Sequence, residues 1–179
     1  GTTHRSAVHA KHFMAVTANP HATRAAVAIL RQGGSAADAA IAAQLVLNLV
    51  EPQSSGIGGG GFALYWTAAN RRLWTYDGRE TAPLAAREDL FRAHAGSVKG
   101  FFKAVQSGRS VGVPGLVAML AALHRRHGKL PWARLFDPAI DLAERGFAVS
   151  PRLAALIRRF PSLRTLPATR RYLFGASGR

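Results

Sequence analysis

Apolar positions change their spacing three times along the chain, and each change marks a new kind of element. Between Pro20 and Arg31 the apolar residues Val27, Ile29 and Leu30 give a helix one core side. Asn19-Pro20 before them is a helix start, with Asn as N-cap and Pro at the first helical position, where its missing N–H costs nothing. Gly33-Gly34 stops that helix. Ser35 begins a second one, apolar on nearly all faces from Ala36 to Val50 except at Gln44 and Asn48, a pattern that belongs inside a layered fold. Asp38 lies three residues after Ser35, near a capping-box arrangement, and reads as a cap more readily than as a catalytic acid. The spacing then shortens. Phe62 to Thr67 and Leu73 to Tyr76 read as strands, joined into a hairpin by Ala68-Ala69-Asn70-Arg71. Upstream, His12 to Thr17 is a short apolar run that reads as a buried strand.

Helical spacing returns downstream. Arg87 to His94 is expected to form a short helix, and Ala95 to Ser110, which carries Lys99 and Lys103, a mobile surface loop. Val113-Pro114-Gly115 opens a helix with Leu116, Met119, Leu120 and Leu123 on its core face, closed at Gly128. Asp137-Pro138 is expected to cap the next helix, ending at Gly146, and Ser150-Pro151 another, ending before Pro161. Signals from Ser162 to Arg179 are weak. Gly1 to Lys11 shows no periodicity and reads as a leader or appended end, with residues 12–179 forming part of one domain.

Between the second helix and the hairpin stands Glu51-Pro-Gln-Ser-Ser-Gly-Ile-Gly-Gly-Gly-Gly-Phe62. Four successive glycines are costly to order, so they belong where backbones approach closely or φ is positive. A phosphate cradle would need strand, glycines, helix; here the order is helix, glycines, strand, which favours close packing of a helix end against a strand. At the far end of the hairpin, Asp77-Gly-Arg79-Glu80 places charge where a strand yields to a loop. Arg79 offers a planar fork suited to a carboxylate, or else an ion pair with Asp77 or Glu80. His124 and His127 lie three apart on a helix, without a third ligand nearby in sequence, so no metal site is expected.

The 179 residues carry 24 Lys+Arg against 9 Asp+Glu, a net charge of +15, which raises nucleic-acid binding as a rival function. The positive charges are scattered in short pairs such as Arg71-Arg72 and Arg125-Arg126, with no basic run interleaved with aromatics, so no specific nucleic-acid partner is expected. With 48% hydrophobic and 18% charged residues the chain is globular in composition, and the absence of cysteine excludes disulfides and thiolate sites.

Taken in order, Arg31-Gln-Gly-Gly-Ser-Ala-Ala-Asp38, the Glu51–Phe62 stretch, Asp77-Gly-Arg79-Glu80-Thr-Ala-Pro83, Val111-Gly-Val-Pro-Gly115, His127-Gly-Lys-Leu-Pro-Trp132 and Pro138-Ala-Ile-Asp-Leu-Ala-Glu-Arg-Gly-Phe147 resemble the large-subunit segment of gamma-glutamyltranspeptidases. The resemblance runs from about Phe13 to Phe174. It implies an α+β fold, part of the four-layer αββα sandwich of N-terminal nucleophile hydrolases and incomplete in this chain. It implies a precursor that cleaves itself, whose small subunit begins with the Thr nucleophile, and substrates such as glutathione with amino acid or peptide acceptors. No cofactor is implied. Arg79 matches the family arginine that holds the substrate α-carboxylate, and Glu80 is expected to orient it.

No catalytic residue is expected in this chain, which alone is expected to be inactive. Thr2-Thr3-His4 echoes the start of the small subunit but precedes the large-subunit segment and follows Gly1, so it reads as coincidental or appended. A related acylase of the cephalosporin acylase kind is the alternative within the superfamily. By family analogy the compartment is periplasmic or extracellular.

Overall fold

The computed structural model describes residues 6–92 and 100–174 and, within them, α-helices with one two-stranded sheet. Its centre is an antiparallel helix pair. Helix α1, Pro20–Arg31, opens on Asn19, whose side-chain oxygen accepts from the His21 amide at 3.0 Å. Gly33, at φ +84°, then turns the chain in a conformation a side chain resists. Helix α2, Ala36–Val50, opens on a full capping box: the Ser35 hydroxyl accepts from the Asp38 amide at 3.1 Å, and Asp38 Oδ2 accepts from the Ser35 amide at 2.8 Å. The small residues Ala22, Ala25 and Ala26 of α1 let the two helices pack closely along buried Ile41, Ala42 and Val46. The pair is closed at its far end by the Asn19 amide group, which donates to the buried Glu51 carboxylate at 2.9 Å.

The hairpin follows. Strand β1, Phe62–Thr67, pairs antiparallel with β2, Arg72–Asp77, in the register Phe62↔Asp77 through Thr67↔Arg72. A helical turn over Ala68–Asn70 and Arg71 at φ 51° connect them. Ala63, Tyr65, Trp74 and Tyr76 share the face that meets the core, whereas Phe62, Leu64, Trp66 and Leu73 stand exposed on the other face.

Three further helices return to the pattern of the sequence: α4, Leu116–His127, α5, Asp137–Arg145, and α6, Pro151–Arg159. Leu116, Met119, Leu120 and Leu123 of α4 join the core formed by α1 and α2. The Ser150 hydroxyl caps α6 by accepting from the Leu153 amide at 3.1 Å. Gly146, at φ +78°, ends α5. Among the described residues no helix is long and apolar enough to cross a membrane.

Several expectations need correction. His12 to Thr17 is neither a strand nor buried, since no strand among the described residues lies beside it and Val16 is 84% exposed. Residues 87–92 form turns instead of a helix, closed by hydrogen bonds from the Leu90 amide to Arg87 and from the Arg92 amide to Asp89; 93 and 94 lie outside the described residues. Within the expected loop, 95–99 also lie outside, but Phe101–Val105 is a short helix, α3. Asp137 does not cap α5; it is the first helical residue and pairs with Arg134 at 3.2 Å. The tail contains a helix that its weak signals did not predict, α7, Pro167–Phe174, with Phe174 buried under the Arg164 guanidinium. Thr2-Thr3-His4 lies outside the described residues.

Asp38 does more than cap. Fully buried, its Oδ2 also accepts the Lys129 amide at 2.9 Å and the Leu130 amide at 3.2 Å, so α2 is tied to the chain leaving α4. Asp38→Ala therefore removes the carboxylate half of the capping box and strands the Ser35, Lys129 and Leu130 amides. We expect it to cost about 3 kcal/mol in urea denaturation, against about 1 kcal/mol for Ser35→Ala, which removes the cap alone.

Candidate functional site

The hairpin ladder continues one pair beyond the strands. The Gly61 amide donates to the Gly78 carbonyl at 3.2 Å and the Gly78 amide to the Gly61 carbonyl at 2.9 Å. Past this point three glycines explain themselves by contact. A Cβ on Gly60 would lie 2.5 Å from the Gly78 carbonyl oxygen and 2.8 Å from Arg79 Cα; one on Gly115 would lie 2.5 Å from the same Gly78 oxygen. One on Gly78 would meet Met119 Cβ at 2.6 Å. Gly60, the end of β2 and the start of α4 are thus stacked backbone on backbone. The Leu116 amide, donating to the Gly59 carbonyl at 3.1 Å, fastens α4 to the stack. Of the four successive glycines the close-packing reading holds at Gly60, which faces a carbonyl and the Glu80 carboxylate, the opposite of an anion cradle, whereas Gly58 has open space where a Cβ would stand.

Arg79 and Glu80 occupy a short span held at both ends. On one side is the Gly61–Gly78 pair; on the other, Thr81 and Val113 exchange hydrogen bonds of 3.3 and 2.9 Å as an antiparallel bridge. The Arg79 amide donates to Asp77 Oδ1 at 2.9 Å, fixing the turn into the span. The expected ion pair is present, Arg79 Nη1 to Glu80 Oε2 at 3.1 Å, with the Arg79 side chain 55% exposed and that of Glu80 29%. A guanidinium has five N–H donors, so this pair leaves most of the Arg79 fork available. An exposed pair of this kind contributes only about 0–1 kcal/mol to the fold.

Two hollows meet at this span. One, of about 530 Å³, lies between α2 and the start of α4 and includes Gln44, Ser55 and Leu120. The other, of about 600 Å³, includes Pro83, Phe91 and Arg109. Arg79 and Glu80 line both. In the first, Gln44 donates to Asn48 Oδ1 at 2.8 Å and to the Ser55 hydroxyl at 2.6 Å, and that hydroxyl donates to Asn48 Oδ1 at 2.9 Å. Sequence reasoning did not assign this network to the site. Its signal was two amides four residues apart in an otherwise apolar helix.

The histidines on α4 part company. His124 Nε2 donates to the Leu130 carbonyl at 2.8 Å and stands 3.7 Å from Asp38 Oδ1, which accepts no hydrogen bond among the described residues. The His127 ring stacks on Tyr65 at 3.9 Å between centroids, and its Nε2 meets the Tyr76 hydroxyl at 2.9 Å. Neighbouring Trp74 has the Arg72 and Arg126 guanidinium carbons each 3.7 Å from its ring centroid. Burial first, and the Arg126 charge second, lower the His127 pKa from 6.5.

The family model described as gamma-glutamyltranspeptidase matches residues 22–179. The chain belongs to this family. It is 42% identical over 145 residues to glutathione hydrolase 3 of Arabidopsis thaliana, covering 77% of this chain and 22% of the relative. It is 39% identical over 147 residues to the glutathione hydrolase proenzyme of Bacillus subtilis strain 168, covering 82% of this chain and 25% of the relative. The crystal structure of Helicobacter pylori gamma-glutamyltranspeptidase superimposes with a TM-score of 0.89 at 34% identity, over 97% of this chain and 49% of that one. The chain therefore spans about a quarter of the length of these curated relatives and about half of the matched structure.

Two outcomes follow from the packing. Gly60→Ala is expected to cost about 1–3 kcal/mol, read as a lowered urea midpoint, because the methyl group meets backbone that cannot swing aside. The His127 shift fixes the sign of a pH dependence: the folded state disfavours the protonated ring, so its contribution is complete above pH 6.5 and is lost as pH falls from there through the lowered folded value. The drop in urea midpoint between pH 7.5 and 5.5 should accordingly be smaller in His127→Phe than in the parent.

Proposed function

We propose that the protein containing this chain cleaves γ-glutamyl amides such as glutathione and passes the γ-glutamyl group to water or to an amino acid or peptide acceptor. The observation that carries this reading is Arg79: its backbone is held on both sides, its side chain is aimed by Glu80, and its fork opens on a hollow within the family's Asp77-Gly-Arg79-Glu80 motif. In this reading the guanidinium takes the substrate α-carboxylate in a two-point contact and sets the distance from there to the γ-amide.

The nucleophile belongs to the small subunit of the same precursor, a Thr whose own terminal amine serves as base for its hydroxyl. Nucleophile and base then arrive in one residue, and an acyl-enzyme forms before the acceptor attacks. Tetrahedral states on either side of that intermediate need hydrogen-bond donors at the developing oxyanion. The exposed outer face of the hairpin, Phe62, Leu64, Trp66 and Leu73, supports a second layer packing there, as a four-layer αββα sandwich requires. We place that layer in the remainder of the precursor.

Arg79→Ala in the full-length enzyme tests the assignment. Loss of a charge-assisted contact made to the substrate from binding onward should raise KM roughly 10- to 100-fold, with kcat changed much less and self-cleavage into two chains intact on a denaturing gel. Arg79→Lys should recover part of the loss, since the charge returns without the fork. An unchanged KM in Arg79→Ala would remove Arg79 from substrate binding.

A further inference from the structure

The hollow beyond Arg79 holds a second guanidinium that the reaction described above does not use. Arg109 lies on a helical turn, Gly108–Ser110, whose Ser110 hydroxyl donates to the Ser107 carbonyl at 2.9 Å and the Val105 carbonyl at 3.1 Å. The chain leaving this turn is pressed onto the site. A Cβ on Gly112 would stand 2.8 Å from Glu80 Cβ, and Val113 forms the bridge to Thr81. Arg109 Nη1 donates to the Leu90 carbonyl at 3.1 Å, which orients the side chain across the hollow's rim. Among the described residues no carboxylate lies within ion-pair distance of it.

Charge balance then narrows the ligand. The charged residues lining this hollow are Arg79, Glu80 and Arg109. Arg79 and Glu80 form a neutral pair, and a γ-glutamyl head group, bearing one ammonium and one carboxylate, is neutral too. One positive charge is left over, on a side chain with unused N–H donors. We propose that Arg109 forms a subsite for a second carboxylate, carried either by the leaving portion of the γ-glutamyl donor or by the acceptor that replaces it. This rests on the γ-glutamyl transfer reading and adds to it a preference for acidic leaving groups and acceptors. The bare alternative is that Arg109 only staples its turn to Leu90.

The full-length enzyme can be assayed with γ-glutamyl-4-nitroanilide and γ-glutamyl-3-carboxy-4-nitroanilide, which differ by one carboxylate on the leaving group. Taking the ratio of kcat/KM values within each variant cancels any difference in the folded fraction. Arg109→Ala should lower the wild-type preference for the carboxylated anilide by roughly tenfold, the size of one charge-assisted contact, and Arg109→Lys should lower it less. A parallel arm compares glycylglycine with glycylglycinamide as acceptors for the uncarboxylated donor; a loss of preference confined to that arm assigns the subsite to the acceptor. If Arg109→Ala leaves both ratios unchanged while wild type turns over both anilides, the subsite is overturned and the transfer reading stands. If wild type releases nitroaniline from neither, the transfer reading falls and the subsite with it.

Discussion

A single buried carboxylate oxygen coordinates the fold. Asp38 Oδ2 accepts the Ser35, Lys129 and Leu130 amides, so one atom closes the start of α2 and anchors the segment that leaves α4, 91 and 92 residues later in the chain. Backbone amides at the start of the helix and after α4 thus supply the hydrogen bonds this buried oxygen needs without a buried cation. His124, on the last turn of α4, adds a polar wall on the Oδ1 side. Since α4 also carries the apolar face that covers α2, its placement fixes both ends of the core at once. The span that carries Arg79 and Glu80 is packed against the start of α4.

From that frame the glycines acquire their purpose. The start of α4 must come onto the end of β2, and the chain leaving α2 must cross the same point. Three backbones meeting at Gly60, Gly78 and Gly115 leave no room for Cβ atoms, which is a steric requirement and not one of chain flexibility. The entropy lost in ordering them is recovered as rigidity at the next residue, since Arg79 inherits its position from packed backbone on both sides. The substrate-binding role proposed for Arg79 would gain from such a mounting.

These features differed in how far the sequence disclosed them. Caps and breakers act within a few residues, so Asn19, Ser35-Asp38, Gly33 and Gly146 placed helices well. The hairpin was equally legible, because alternation and a short connection are local signals. His12 to Thr17 misled because an apolar run becomes a strand only when another strand accepts it, and none among the described residues does. Residues 87–92 lacked any cap and settled into turns; α7 went unpredicted because its first turn offers only Pro167 and its anchor is one buried phenylalanine. At the site, Arg79 and Glu80 stood out by motif. The Gln44–Asn48–Ser55 network did not, as its third member comes from a different segment.

The same logic bears on the outward face of the hairpin. Its inner face is satisfied by α4, with Tyr65 and Tyr76 holding His127, while four large apolar residues on the outer face remain in solvent. Leaving Phe62, Leu64, Trp66 and Leu73 uncovered forgoes about 1.5–3 kcal/mol per side chain, a cost a sheet in a stable layered fold does not carry. Phe62 follows directly on the glycine stack and also lines the hollow beside Arg79. The layer proposed to cover this face would therefore lie beside the guanidinium. On the proposed reading, burial of the sheet and completion of the site are one packing event, since Phe62 belongs both to the exposed face and to the hollow that Arg79 lines.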